Sequence, residues 1–396
     1  MLPYLSRRYL IFVTNYKHLK SSIFIRQIST ISPLGSTAEE VWDSYLKGIP
    51  KFERRQDDWM AGVPGALEEK IVNLKQEPSY KELDRSVLLA ILAAREMKDC
   101  LSDGNIGVNI GSSRGATQLF EKYHQQFQEK GKVSPFSSPT TTLGNISSWV
   151  GQDLGLQGIQ IGHSVTCSTA LHAMLNGIAW LHSGMADGFI VGGSEAALTP
   201  FTLAQMKAMK LYSQSDNILA CESMRFQKKK NTMILGEGVG LAMLESGNSN
   251  NAVALIKGVG YASESIRHGG DISEKAICFQ KSMRNALKDA DLSEVDMLVM
   301  HAPGTAKGDL AEKNAIDLVF GKQLPLLTSN KWLIGHTFGA SGMLSVEMGV
   351  LMLQHNKFIE NPFYSNARHL PTRLNTVMIN AVGFGGNAVS IIIEKP

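Results

Sequence analysis

The sequence predicts an α/β protein made of two similar halves. Three observations carry this. Short apolar, strand-like runs alternate with amphipathic helical patterns from Ile23 onward. One polar, turn-rich stretch, Ser246 to Asn251 (SGNSNN), interrupts the alternation. The same order of strands and helices then starts again. Such alternation implies βαβ units and mostly parallel sheets with helices on both faces. No short-period repeat is visible, so the duplicated unit is a large one.

Each element has its own signal. Ile23-Phe24-Ile25 is a candidate strand, and Thr37 with Glu39 and Glu40 starts a helix. The threonine suits an N-cap and the two acids suit the positive end of the dipole. Arg85 to Met97 is helical, with Val87, Leu88, Ile91, Leu92 and Ala94 on one apolar face. Ile106 to Ile110 reads as a buried strand, Phe120 to Lys132 as a polar surface helix, and Ser134 to Thr142 as a loop. Ile159 to Ile161 is a strand, Cys167 to His182 a helix and Gly188 to Gly192 a strand. Met233 to Leu244 reads as a strand pair around Gly236-Glu237-Gly238. The second half offers strands at Ala252 to Ile256, Met297 to Met300, Val377 to Ala381 and Val389 to Glu394. Its helices fall at Ser273 to Asp289, Asp309 to Phe320 and Gly342 to Gln354. The expected organisation is an extension at 1–20, a first half at 21–247 and a second half at 248–396. The extension has the charge-then-apolar order of a targeting peptide, but its apolar run is short and no small-residue cleavage site follows. It could also hold an integral first strand.

Composition narrows the function. The chain has 396 residues, 43% hydrophobic and 19% charged, with net charge +3. That is ordinary globular usage with ample core material. Basic residues are dispersed, so nucleic acid is not an expected partner. The densest cluster, Lys228-Lys229-Lys230, reads as a solvated loop or a dock for an acidic partner. No apolar run approaches the roughly 20 residues that span a bilayer. The four cysteines, Cys100, Cys167, Cys221 and Cys278, include no C-x-x-C pair, which leaves a zinc site unsupported and suggests a reduced, cytoplasmic setting.

Four segments carry candidate chemistry. Cys167 lies between a strand and a helix whose Leu171, Met174, Leu175, Ile178 and Leu181 follow i, i+3, i+4, i+7 spacing. A helix N-terminus lowers a thiol pKa, so Cys167 suits an acyl-accepting thiolate. It is equally readable as a small buried packing residue. His301 follows the strand Met297 to Met300, at the strand end where α/β sheets bind ligands, though a capping role fits as well. His336 stands in a loop with Gly335, Gly339 and Gly342, which lacks the order of a phosphate loop. No third ligand at recognisable spacing supports a metal at His301 and His336. Gly383-Phe384-Gly385-Gly386-Asn387 is either a tight hairpin turn or a source of backbone amides for an oxyanion hole. His163, His172, His182 and His268 show no partner pattern and read as structural.

Taken in order, these segments resemble the β-ketoacyl-[acyl-carrier-protein] synthases, the elongating condensing enzymes of the thiolase superfamily. The likeness runs from about Ile23 to Glu394 and rests on seven motifs. They are S-P-L-G at 32–35, V-T-C-S-T at 165–169, G-G-S-E-A at 192–196 and G-E-G-V-G at 236–240. H-A-P-G-T at 301–305, with Gly308-Asp309 and Glu312, N-K-W-L-I-G-H at 330–336 and G-F-G-G-N at 383–387 complete the set. The resemblance implies a thiolase-like fold, with duplicated βαβαβαββ halves in a five-layered αβαβα arrangement. It implies that Cys167 takes the acyl chain and that His301 and His336 sit over a malonyl thioester. The amides of Cys167 and Phe384 would form the oxyanion hole. Lys331 would support the histidines, and Glu312 would fix Lys331. Thr305, Met233 and Gly385 would meet the substrate. No cofactor is implied, because the substrates ride on the phosphopantetheine of acyl carrier protein. A homodimer, or a heterodimer with a ketosynthase-like subunit, is implied. A second histidine favours elongation over the Cys-His-Asn initiating synthases, and no cysteine follows Cys278 to act as a thiolase base.

The chain also departs from the family's pattern. Thr166 replaces the usual alanine before the nucleophile, and Ala302-Pro303 expands the H-G-T loop. Met233 stands for a gating phenylalanine, R-P-F-D reads Met224-Arg225-Phe226-Gln227, and the last loop is one residue short. These changes point to a specialised pathway, such as a polyketide or polyene.

Overall fold

We describe the chain from a computed structural model covering residues 21–396 apart from 56, 102, 144, 248–250, 269, 368 and 369. The predicted extension at 1–20 and part of the SGNSNN stretch lie outside the described residues.

Strands run in chain order as β1 (Ile23–Ile31), β2 (Glu53–Arg55), β3 (Asp58–Ala61), β4 (Ile106–Gly111), β5 (Gln160–Ile161), β6 (Gly188–Glu195), β7 (Leu235–Gly236), β8 (Gly238–Ser246), β9 (Ala254–Ser263), β10 (Met297–Val299), β11 (Leu326–Thr328), β12 (Thr376–Gly383) and β13 (Asn387–Glu394). Ten of them share one sheet, ordered β11-β10-β12-β13-β9-β1-β8-β6-β4-β5. Its middle is a narrow seam, where β1 and β9 pair only over Ile23 to Ile25 and Ala254 to Ile256. Outward from the seam the order is β1-β8-β6-β4-β5 on one side and β9-β13-β12-β10-β11 on the other. Each half therefore places its first, fifth, fourth, second and third strands in the same sequence, the duplication that the alternating pattern predicts.

The layers follow from which way alternate side chains point. On β6, Phe189 and Val191 face a central cluster, while Ile190 between them faces an outer one. On β12, Val377 and Ile379 face the centre and Met378 faces outward. The helices Thr169–His182 and Ser341–Gln354 fill the centre, with Leu171, Met174 and Ile178 sharing a cluster with Met343, Val346 and Val350. Arg85–Arg95 and Asn145–Leu154 cover one outer face, and Ile277–Ala290 and Ala306–Phe320 cover the other. This is the five-layered arrangement. Every residue from Ser341 to Leu353 is buried, as expected for a helix with sheets on both sides.

Some expectations need correction. The sheet is mixed, not mostly parallel. β4–β5, β4–β6, β10–β11 and β10–β12 are parallel, whereas β1–β8, β6–β8, β12–β13 and β9–β13 are antiparallel. The turn between β12 and β13 is too short for a parallel crossover. Met233 to Leu244 is not a strand pair: β7 joins β3 in a small sheet, and β8 lies between β1 and β6. The stretch read as a loop at Ser134 to Thr142 contains a short helix, Ser137–Thr141, where hydroxyls bond back to carbonyls one turn earlier. The predicted helix start at Thr37 is as expected. The Glu40 amide donates to Thr37 Oγ1 and the Thr37 amide donates to Glu40 Oε2, both at 3.2 Å, a reciprocal cap that stabilises the helix by about 1 kcal/mol. Among the described residues, no helix is long and apolar enough to cross a membrane.

Candidate active site

A single cavity of about 230 Å³ gathers residues from both halves: Cys167, His301, His336, Glu312, Thr305, Met233 and Phe384 all line it. Lys331 and Gly385 are not part of its lining.

Cys167 sits in a 3-10 turn, Thr166–Ser168, and the α-helix proper begins at Thr169. Thr166 has φ +48°, in the left-handed region that a β-branched residue rarely enters. The turn is held by the Val165 amide donating to Thr169 Oγ1 (2.8 Å) and by Thr169 Oγ1 donating to the Thr166 carbonyl (2.6 Å). Across it lies the β12–β13 turn. A Cβ on Gly383 would stand 2.1 Å from Thr166 Oγ1 and 2.4 Å from the Val165 carbonyl, so only glycine permits this approach. Thr166 Oγ1 also donates to the Phe384 carbonyl at 3.5 Å. Gly385, at φ +95°, shapes this turn and does not meet the cavity itself.

Burial opposes the low thiol pKa that the helix end favours. Burial pushes the Cys167 thiol up to about 12, and the Glu195 carboxylate adds to the rise. Only 6% of Cys167 is exposed, and desolvation of a thiolate outweighs the field of one helix end.

His301 follows β10, and the backbone amides of the H-A-P-G-T loop are all held by carboxylates. Glu312 accepts the amides of His301 (Oε1, 3.0 Å) and Ala302 (Oε2, 2.9 Å). Asp309 Oδ1 accepts those of Gly304 and Thr305, both at 3.1 Å. Pro303 has no amide to satisfy, so the expanded loop leaves no orphan donor here. Asn380 Nδ2 donates to Glu312 Oε1 as well (3.2 Å). Burial raises the Glu312 carboxyl to about 7 against these donors.

His336 is placed by backbone pairing. Its amide donates to the Ile234 carbonyl (2.7 Å), and its own carbonyl accepts the Gly236 amide (3.1 Å). Gly335 makes this possible at φ +66°, where a Cβ would stand 2.7 Å from the Ile234 carbonyl. The rings of His301 and His336 meet edge to face, with centroids 5.2 Å apart. Burial holds both neutral, His336 down to about 3 and His301 well below its ordinary value. The Nδ1 atoms of both are buried without a partner.

Lys331 does not pair with Glu312, which corrects the role implied for that acid. Its ammonium donates to Asn330 Oδ1 (2.8 Å) and Ser345 Oγ (3.3 Å), and no ion pair among the described residues joins it to Glu312. Burial lowers its pKa to about 8, opposed first by the Glu312 charge, so the two interact only through space.

Three features escaped sequence reasoning. Lys228, read as solvated, forms a buried ion pair with Asp309 at 2.7 Å and so braces the loop beneath His301. Glu195 is fully buried on β6, where a lone acid in an apolar strand was the available signal. Its carboxylate accepts from Ser112 Oγ (2.8 Å) and from the amides of Ser113 (2.7 Å), Arg114 (3.2 Å) and Gly339 (2.9 Å). Phe338, at φ +42°, packs on His336 with ring centroids 5.1 Å apart and borders Cys167. The remaining histidines have structural roles where bonds are seen: His163 meets Asn109 and the Thr169 carbonyl, and His172 meets the Ser168 carbonyl. Among the described residues, no group of three or more His, Cys, Asp or Glu side chains could hold a metal ion.

A duplicated five-layered fold, with a cysteine facing two neutral histidines across the join of its halves, places the chain in the class of thiolase-fold condensing acyltransferases. Comparison with known proteins narrows the class. Residues 20–250 match the family described as beta-ketoacyl synthase, N-terminal domain, and residues 253–363 match beta-ketoacyl synthase, C-terminal domain. A 3-oxoacyl-[acyl-carrier-protein] synthase 2 of Staphylococcus aureus is 30% identical over 409 residues, which cover 93% of this chain and 100% of the relative. Solved structures share the fold: a beta-ketoacyl synthase from Burkholderia phymatum STM815 (TM-score 0.82, 21% identity, covering 95% of this chain and 100% of that one). The ishigamide ketosynthase/chain length factor is similar to the same degree (TM-score 0.82, 20% identity, 95% and 100% coverage). The chain belongs to the beta-ketoacyl synthase family.

Proposed function

We propose that the chain is an elongating ketosynthase that condenses a Cys167-bound acyl chain with a malonyl group, both delivered on acyl carrier protein. The observation that carries the reading is the single cavity shared by Cys167, His301 and His336. The Cys167 sulfur attacks the incoming acyl thioester, the carrier thiol leaves, and the thiol proton passes to that leaving sulfur. With a thiol pushed up to about 12, the proton departs as the new C–S bond forms and not beforehand. Malonyl carrier protein then occupies the histidine side. Neutral imidazoles donate hydrogen bonds to its thioester oxygen, the C–C bond to the carboxylate breaks, and CO2 leaves an enolate. The enolate carbon attacks the acyl carbonyl, and the amides of Cys167 and Phe384 hold the oxyanion until the sulfur leaves and regains a proton. Loss of CO2 supplies the carbanion, so the reading calls on no metal or redox cofactor. Lys331, Glu312 and Asp309 act as positioning residues, and Met233 and Thr305 border the substrate.

Exposed Phe120, Phe127, Val133, Phe136 and Leu143 support pairing with a second ketosynthase-like subunit, identical or not. The decisive test is intact-protein mass spectrometry after incubation with acyl carrier protein bearing an acyl group, followed by malonyl carrier protein. The wild type gains the acyl mass and then releases labelled CO2 with the product. Cys167→Ala gains no acyl mass. Acyl transfer that survives this substitution, or an acyl adduct that never consumes malonyl groups, refutes the reading.

A further inference from the structure

A second cavity, of about 850 Å³, also borders Cys167, and charged side chains stand among its largely apolar lining. Cys167, Phe338 and Phe384 border both cavities, so the sulfur stands at the passage between them. On the ketosynthase reading, the first cavity, at about 230 Å³, takes the malonyl group and the carrier arm. On the same reading, the second cavity is the space left for the acyl chain on Cys167.

That space holds Arg114, Glu121 and His124 among its phenylalanines. The Arg114 guanidinium rests over the Phe338 ring, 5.3 Å from its centroid, and donates to Gln205 Oε1 at 2.7 Å. Among the described residues it has no carboxylate partner within ion-pair distance. Its backbone is not loose, because the buried Glu195 carboxylate accepts the Arg114 amide together with that of Gly339, next to Phe338. Glu195 thereby ties the two facing walls together. In the same lining, Glu121 Oε1 is buried with no hydrogen-bond partner. The lining thus offers a charged donor with spare N–H groups and an unanswered acceptor. A saturated chain would cover both and satisfy neither, which is a strong ground for rejection. A chain carrying oxygen answers both: a ketone or hydroxyl oxygen accepts from Arg114, and a hydroxyl donates to Glu121.

We propose that this cavity selects acyl chains bearing keto or hydroxyl oxygens over saturated alkyl chains of equal length. The inference rests on the ketosynthase reading, in which Cys167 carries the acyl group. The test follows loading of Cys167 by intact mass spectrometry, using octanoyl, 7-oxooctanoyl and 7-hydroxyoctanoyl thioesters of N-acetylcysteamine. The wild type is expected to load an oxygenated chain at least about tenfold faster than octanoyl. In Arg114→Leu, checked for folding by circular dichroism, that ratio falls to near unity because octanoyl loading rises and oxygenated loading drops. Should the leucine variant not fold, Arg114→Gln and Glu121→Gln provide the same comparison. Equal loading of all three chains by the wild type overturns the proposal and leaves the ketosynthase reading standing, as does a preference that survives loss of Arg114. Failure to load any chain on Cys167 overturns the ketosynthase reading, and this proposal with it.

Discussion

Replacing Glu312 with leucine removes the acceptor that holds His301 in place. In the wild type the carboxylate takes two backbone amides, those of His301 at 3.0 Å and Ala302 at 2.9 Å, and the Asn380 side chain at 3.2 Å. All of these are buried, with Glu312 itself 1% exposed. Each orphaned donor costs about 1–3 kcal/mol. Relief from burying a carboxylate offsets part of this. The expected net loss is about 2–5 kcal/mol in urea unfolding. The loop that follows β10 then lacks its anchor at the residue that bears the imidazole. A shift of about 1 Å there lowers malonyl decarboxylation roughly 100-fold. Alkylation of Cys167 by iodoacetamide, on the opposite wall, keeps its wild-type rate. Glu312→Gln should fall between, since its amide oxygen still accepts while its NH2 opposes a backbone N–H. The reasoning is refuted if Glu312→Leu unfolds within about 0.5 kcal/mol of the wild type and decarboxylates at the wild-type rate.

The thiol makes a pH prediction. Because burial pushes Cys167 up from 9.0 to about 12, its alkylation rate should rise about tenfold per pH unit through pH 9 without levelling. The folded state holds the extra proton between those values, so the thiol's share of stability is present below 9.0 and is lost as pH rises through about 12. A rate plateau below pH 8 would show a helix-end thiolate instead. Gly383→Ala tests the contact between the two turns: a Cβ at 2.1 Å from Thr166 Oγ1 must displace one of them. The expected result is a loss of about 1–3 kcal/mol in stability and at least tenfold slower acyl loading by mass spectrometry, with unchanged loading as the contrary outcome.

Parts of the site were legible because they are local. A strand, a turn and an i, i+3, i+4, i+7 helix set Cys167 at a strand-to-helix junction, and His301 lies directly after an apolar strand. The continuous apolar run of β6 and the period near 3.6 in the Thr169–His182 helix are written in adjacent residues. The order of the motifs told which loops belong to one site. What the sequence determined alone was therefore most of the elements, their duplication and the residues that could react.

Tertiary structure decided how those residues behave. Whether Cys167 is a thiolate depends on how dry its surroundings are, and these come from Glu195, Phe338 and the β12–β13 turn, all distant in sequence. Lys228 looks like one of three solvated lysines until Asp309 meets it in the interior. The acid at Glu312 was assigned to Lys331, yet it binds the amides of the His301 loop. Arg114 became a candidate selector of the acyl chain only when its side chain was found beside Cys167 and over Phe338. The physical reason is common to all four. Hydrogen-bond periodicity is a property of neighbours along the chain, whereas desolvation and charge pairing are set by whatever the fold packs against a group.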